Sequence, residues 1–477
     1  MIMKKRLLSI ALAFIMMLTQ VPVSSYGLEA DPGSGNTGSS GIAEEILLKE
    51  ASVSEDSAVS DAQGADSAAG GDGELTEAID EGDEPSSSQP DETGAEDAAK
   101  GAEQLDPAAG TVSETIGELE EPEARETLAA FEEGSLSLLG QIQLKGSSPA
   151  SAVIGSAENP FLIGTPEVLA ELGELTQSNE AYGTDMPFAA ASYKLVADID
   201  LAGVDGMQRI DNFTGTFDGD GHVIKNMKTA GLFATAKTDS VIKNLGIEDC
   251  KISCEGSAGG VAAYTDGTIM NCYVTGTVTG TSQLIGGVVG KADDNALITN
   301  CYAAVNVSGV DFIGGVVGNT TGAVTNCYVT GNVSAIDMVG GVVGWAVSTT
   351  MSTVTNCAAL GQTVTGNSYV GRVVGYNSAS TISGCYAFSG MKVGASGSEA
   401  VVTGGAADNA KGANLSYTQS NAEGAKLSAQ FSEIFHDDGA WDYTADGLPT
   451  LNGVNGGQSS ELPAWFTVTS FNLSTAE

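Results

Sequence analysis

Between residues 258 and 390, short β-branched runs broken by glycine or asparagine recur in the same order. One run reads Ala258-Gly259-Gly260-Val261, then Ile285-Gly286-Gly287-Val288-Val289-Gly290, Ile313-Gly314-Gly315-Val316-Val317-Gly318, Val339-Gly340-Gly341-Val342-Val343-Gly344 and Val370-Gly371-Arg372-Val373-Val374-Gly375. Each is followed by a second run: Asn271-Cys272-Tyr273, Asn300-Cys301-Tyr302, Asn326-Cys327-Tyr328, Asn356-Cys357-Ala358 and Gly384-Cys385-Tyr386. A third run, as at Val305-Asn306-Val307-Ser308-Gly309, completes the unit, and successive repeat cysteines lie 29, 26, 30 and 28 residues apart. Three short strands in about 28 residues predict one turn of a parallel β-helix, whose apolar face is buried only by its neighbours. Strict alternation would put Ile298, Asn300 and Tyr302 on one face and Cys301 on the other. A bend at the asparagine instead leaves Ile298 and Cys301 both inside, because asparagine tolerates the left-handed backbone of such a corner. Stacked asparagines can then hydrogen-bond along the column.

The pattern changes on either side of the repeats. Residues 165–175 carry Leu169, Leu172 and Leu175 near helical spacing, with Thr165 to cap and Pro166 at the first position. A short helix there would cover the open sheet edge of the first coil. Tyr193 to Leu201 alternates as a strand does, and residues 213–224 read as strand, tight Asp-Gly turn, strand. Past Cys385 the period fades into a small, polar stretch. Phe435, Trp441, Tyr443 and Leu451 then restore bulk, which predicts a closing coil or C-terminal cap, followed by a polar tail.

Charge is concentrated at the front of the chain. Residues 28–155 hold 30 acidic against four basic residues with almost no aromatics, a composition that cannot offset the entropy of ordering. This segment reads as a solvated acidic spacer. Ahead of it, Lys4-Lys5-Arg6, an apolar run from Leu7 to Thr19 and small residues up to Gly27 form a secretion signal. No integral membrane segment is expected after its removal. A formal charge of −42 argues against nucleic acid as a partner.

The expected fold class is therefore all-β: a parallel β-helix (β-solenoid), right-handed as parallel β crossovers generally are, with a short N-terminal capping helix and a disordered acidic N-terminal region. The expected divisions are a signal peptide (1–27), acidic linker (28–155), N-terminal cap and first coils (156–255), repeats (256–390), irregular segment with C-terminal cap (391–455) and tail (456–477).

Candidate chemistry is sparse. The five repeat cysteines form a column whose side chains point the same way, so buried thiols fit better than a disulfide ladder. Cys250 and Cys254, outside the column, are the better candidate pair. His222 and His436 sit in no His-Glu-x-x-His motif, so no zinc peptidase site is expected, and no cofactor is. Asp218-x-Asp220-Gly221 lacks the remaining ligands of a calcium loop and reads as a turn. Residues 258–390 contain only Asp266, Asp293, Asp294, Asp311 and Asp337 with Lys291 and Arg372. The adjacent pair Asp293-Asp294 reads as a solvated turn. Tyr273, Tyr302, Tyr328 and Tyr386 recur at one place in the repeat and are the expected ligand-binding residues, stacking on a sugar or protein side chain.

Gly-Gly-Val-Val-Gly followed by Thr-Asn-Cys-Tyr, repeated, resembles the GLUG-motif repeats of bacterial surface proteins, which also occur beside the catalytic region of IgA-specific metallopeptidases. Residues 197–201, 215–221 and 231–233 resemble the lead-in to such repeats, so the resemblance covers roughly residues 158–455. It implies an exported, often cell-surface β-helix and little about activity. Arg372 replaces a glycine and Gly384 an asparagine of the motif, as expected near the end of a stack. The functional expectation is an adhesin-like, non-catalytic module for an extracellular glycan or protein ligand. The alternatives are a carbohydrate-active β-helix enzyme and a structural spacer of a larger surface protein.

Overall fold

The computed structural model describes residue 126 and, with short interruptions, residues 129–468. The expected secretion signal and most of the acidic linker lie outside the described residues. Phe161, Tyr193, Phe217, Ile242, Ile269, Ile298, Val324, Val354 and Ile382 are successive parallel register partners, and all are buried. They form one inner column of a parallel β-solenoid of about 9 turns. A second inner column runs Ile252, Val278, Val307, Val333, Val364, Val393. A third runs Phe233, Ala262, Val289, Val317, Val343, Val374. All the coils contribute to the broad 20-stranded sheet, and the repeat coils also thread a 4-stranded and a 6-stranded sheet. The Asp-Gly turn at 219–221 is a corner of this path and not a hairpin, since the strands on both sides pair in parallel with neighbouring coils.

Two left-handed corners shape the coil. At the first, Asn271, Asn300, Asn326 and Asn356 have φ between 51° and 54°, and Gly384 has 62°. The corner puts Ile298 and Cys301 inside together, both fully buried. Side-chain amides bridge coils there, Asn271 to Asn244 and Asn326 to Asn300, each at 3.2 Å. At the second corner stand Leu284, Phe312, Met338 and Tyr369, with φ between 51° and 65°. Bulky residues are rarely found in this region, so only their shared position in the repeat marks the corner. Just after it the two smaller sheets meet backbone to backbone. A Cβ on Gly286, Gly314, Gly340 or Gly371 would fall within 2.0 Å of a valine carbonyl oxygen. That approach is what the first glycine of each pair provides.

The second glycine of each pair is held by the next coil. A Cβ on Gly287, Gly315 or Gly341 would lie 2.1 Å from the carbonyl of the matching residue one turn on. Arg372 has no further copy above it, so a side chain fits. Its guanidinium is buried and donates to the carbonyls of Lys411 (2.8 Å) and Gly412 (2.6 Å) and to Asn414 Oδ1 (2.8 Å). The arginine thus seals the C-terminal end of the stack.

Helices close the other end. Pro166–Gln177 (α2) is capped by Thr165, whose hydroxyl accepts from the Val168 N–H, and buries Val168, Leu169, Leu172 and Leu175. Order begins earlier than the sequence suggests. Residues 129–145, assigned above to the acidic linker, include helix Leu138–Lys145 (α1) and bury Phe131, Leu138 and Gln141. The Gln141 amide accepts from Leu162 N–H (3.0 Å) and donates to Leu162 C=O (2.8 Å). One side chain thereby satisfies the outer edge of the first strand as another strand would. Charge density concealed this because so few apolar residues are needed to seat a short helix on an existing core.

Candidate functional site

Two columns of outward side chains carry most of the aromatic surface. The first is the expected one. Tyr273, Tyr302 and Tyr328 are register partners on the broad sheet, with ring centroids 5.1 and 4.8 Å apart and planes within 5° of parallel. They are nevertheless buried, which corrects the expectation of an exposed ligand face. Tyr386, two coils further on, is half-buried against the core and outside the stack.

The cover is the C-terminal segment, where a closing coil or C-terminal cap is expected, and its described residues lie along the side of the coils. Helix Leu427–Phe435 (α3) sets Phe431 and Phe435 against Tyr328. Trp441 packs on Tyr302 and Tyr328. The chain pairs Trp441–Asp442 with Thr450–Leu451 in antiparallel fashion and reaches a tip near Asn455, whose N–H donates to Gly221 C=O at 2.7 Å. It then returns to helix Ala464–Val468 (α4), where Trp465 donates to Leu360 C=O and Phe466 stacks on Phe388 at 4.6 Å. This strap therefore runs from the third turn to the ninth.

Hydroxyl groups fix it in place. Tyr273 donates to Glu248 Oε1 (2.6 Å) and approaches Asn455 C=O (3.0 Å), and Tyr328 donates to Pro449 C=O (2.7 Å). Buried Glu248 also accepts from the Gly457 N–H and pairs with Lys225 at 3.3 Å. Burial, followed by the Glu248 carboxylate, pushes the Tyr273 phenol far up, and burial does the same to Tyr302, so both stay protonated.

The second column was not singled out in the sequence. It runs Tyr264, Lys291, Asn319, Trp345, Tyr376 along the six-stranded sheet. Tyr264 is 37% exposed, and at the other end Tyr369 is 40% exposed and sits edge-on to Tyr376 at 4.7 Å. Phe312 stacks on Trp345 at 4.9 Å, fixing that ring beneath Tyr376. Among the described residues, the strap's aromatic and hydrogen-bond contacts fall on the broad sheet and not on this face. The available signal was the alternate-residue spacing of Tyr264, Trp345 and Tyr376 after each glycine-valine run.

Beside Tyr264 the stacked turns form a groove of ≈ 490 Å³ lined by Lys237, Asp266, Asp293, Asp294 and Asn295. Asp293 pairs with Lys291 at 3.2 Å. Asp266 accepts from Asn295 N–H and from the Thr238 hydroxyl. Burial alone would raise its pKa, but those hydrogen bonds outweigh burial and hold the carboxyl below its ordinary value. Asp266 thus serves as a hydrogen-bond acceptor that ties neighbouring turns together. Asp218 and Asp220 are occupied by Lys243 (3.0 Å) and Lys194 (2.9 Å), as befits a turn. Among the described residues no cluster of three potential metal ligands occurs.

All seven cysteines are free thiols. Cys272, Cys301, Cys327, Cys357 and Cys385 are fully buried, their Sγ atoms directed at backbone carbonyls such as Thr299 C=O, 3.1 Å from Cys301. Burial pushes the Cys272 and Cys327 thiols well up. The pair suggested for Cys250 and Cys254 does not form. They lie four residues apart along the extended strand Val241–Cys254, on the order of 13 Å, beyond disulfide reach.

This architecture is a parallel β-solenoid with one aromatic column sealed and a second that is accessible at its ends, Tyr264 and Tyr376, with Asn319 and Trp345 buried between them. The model described as the GLUG motif matches residues 255–279 and 281–308, so these coils are GLUG repeats. Halomucin of Haloquadratum walsbyi is 33% identical over 176 residues, which is 32% of this chain and 2% of that protein. The chain thus spans only a small fraction of the curated relative it matches. A Bacteroides ovatus crystal structure, provisionally described as an immunoglobulin A1 protease, shares the fold at TM-score 0.50 and 24% identity, over 63% of this chain and 94% of that one. A second structure, an IgA1 protease, gives TM-score 0.32 at 17% identity over 48% and 20%, too distant to carry an argument.

Proposed function

We propose that this chain is an exported, surface-displayed β-solenoid that binds an extended glycan along its open aromatic column, acting as an adhesin-like module without catalysis. The observation that carries this reading is the contrast in cover, since Tyr273, Tyr302 and Tyr328 are buried while Tyr264 and Tyr376, at the two ends of the second column, stay accessible. Successive coils lie about 4.8 Å apart, so those two rings are separated by four rungs, on the order of 19 Å. That span suits a linear oligosaccharide stacking on rings at both ends. Asp266, Asn295 and Lys291 supply fixed acceptors and donors between and beside them. The likeness to halomucin supports placement at a cell surface.

The test is retention of the full chain on immobilised mucins and polysaccharides at two salt concentrations. Saturable, salt-tolerant retention that falls about tenfold in Tyr264→Ala/Tyr376→Ala is expected. Retention only by immobilised proteins would replace the glycan with a protein ligand, and none at all would leave a spacer. The enzyme alternative places its carboxylates at Asp293 and Asp294. Turnover of any retained polysaccharide that disappears in Asp293→Asn/Asp294→Asn would establish it in place of binding.

A further inference from the structure

Resting on the glycan reading above, we infer that the groove beside Tyr264 sorts glycans by charge, taking an uncharged sugar and turning away one that bears a carboxylate or sulfate. The groove follows one turn through successive coils. Lys237, Asp266 and Asp293 each come directly after a register partner, Ala236, Thr265 and Ala292, so they stand one above another at about 4.8 Å per coil. Asp294 and Asn295 continue the last of these turns, and Tyr264 presents its ring on the middle coil.

The charged side chains lining this groove are not equally free. Asp293 is paired with Lys291 at 3.2 Å. Asp266 is fixed where it stands, accepting from the Asn295 N–H at 2.9 Å, from the Asn295 amide at 3.1 Å and from the Thr238 hydroxyl. It therefore cannot swing away from a ring stacked on Tyr264, two residues before it. Asp294 is exposed and, among the described residues, makes no ion pair or side-chain hydrogen bond. Lys237 is also exposed. With Lys291 committed to Asp293, the carboxylates of Asp266 and Asp294 outnumber the Lys237 ammonium. A guest meets that excess in two ways. Hydroxyl groups of a neutral sugar can donate to the carboxylate oxygens, in bonds stronger than those between neutral groups. A sugar carboxylate or sulfate has no proton to give at neutral pH and adds repulsion. One unit charge about 5 Å from another in water is worth about a fourfold change in affinity. At physiological salt the screening length is about 8 Å, so these near groups set the field in the groove and the distant acidic residues do not.

Microscale thermophoresis on the full chain in about 0.15 M salt tests the selection with acidic glycans and their neutral counterparts. The pairs are oligogalacturonate and hyaluronan oligosaccharides, each before and after carboxyl reduction, and mucin glycans before and after sialidase. At least one neutral member should bind saturably, and its acidic counterpart about fourfold or more weakly. Asp294→Asn should narrow that ratio towards one and Lys237→Gln should widen it, opposite shifts that a loss of fold would not produce. Equal or tighter binding of the acidic members overturns the inference while the glycan reading stands. A ratio that neither substitution moves overturns it as well, since the discrimination would then lie outside this groove. Saturable binding by no member of any pair, neutral or acidic, overturns the inference and the glycan reading together.

Discussion

The two aromatic columns arise from the same repeat and end in opposite circumstances. Tyr273, Tyr302 and Tyr328 stack ring on ring and disappear beneath Trp441, Phe431 and Phe435. On the six-stranded sheet, Tyr264 and Tyr376 mark the ends of a column filled between by Lys291, Asn319 and Trp345, and both remain accessible. Periodicity determines that a side chain points outward. Whether outward means solvent depends on what the rest of the chain lays over it. Recurrence of an aromatic residue in a solenoid is thus evidence of a ladder and not of a binding face.

The comparison is broken most directly at Trp441. Trp441→Ala should cost about 3–5 kcal/mol in chemical denaturation, the range for a buried aromatic truncated in a core, whereas Tyr376→Ala should cost about 1 kcal/mol or less. Equal losses would erase the distinction between sealed and open columns. Next in size is Tyr328→Phe, which leaves the buried Pro449 carbonyl without its donor and should cost about 1–2 kcal/mol. Binding sharpens the contrast from the other side. Losing Tyr264 and Tyr376 together should reduce glycan retention about tenfold, near 1.4 kcal/mol, and Tyr328→Phe should leave it unchanged.

The smallest effect is in the acid range. Burial raises the Asp218 pKa, but the Asp220 N–H, Asn244 and Lys243 more than offset it and hold the carboxyl below its ordinary 3.8. A carboxyl lowered by folding stabilises the protein above its unfolded pKa and loses that contribution as pH falls through the folded value. The melting temperature should accordingly drop below about pH 3.8, and Asp218→Asn should flatten the drop. An unchanged acid slope in Asp218→Asn would show that this corner, beside the seat of the strap tip, gains nothing from its ion pair with Lys243.

How much of this could be read from residues alone follows from where each constraint resides. The inner columns and the asparagine corner were legible because each coil repeats the same local demand: a β-branched residue inward, a left-handed residue at the bend. The corner at Leu284, Phe312, Met338 and Tyr369 was not, since those residue types argue against positive φ everywhere else. The strap was illegible for a different reason. Its contacts join residues far apart in sequence, from Phe466 with Phe388 to Asn455 with Gly221, in a segment without period, and no local pattern encodes which face such a segment will cover. The exposure expected of the tyrosines failed at that step. Gln141 shows the same limit at the other end, where a single amide completes a strand that lies 21 residues away.

The strap also alters how the coils depend on one another. Coils in a bare solenoid touch only their neighbours, so an end can loosen while the middle is unaware of it, and stability adds up as in a one-dimensional chain. Here Asn455 rests on Gly221 and Phe466 on Phe388, so two coils that never meet share one fastening. Loosening either frees apolar surface along the whole tyrosine face. A stack that would otherwise melt by peeling is thereby tied across its length, and its third to ninth coils are expected to unfold together.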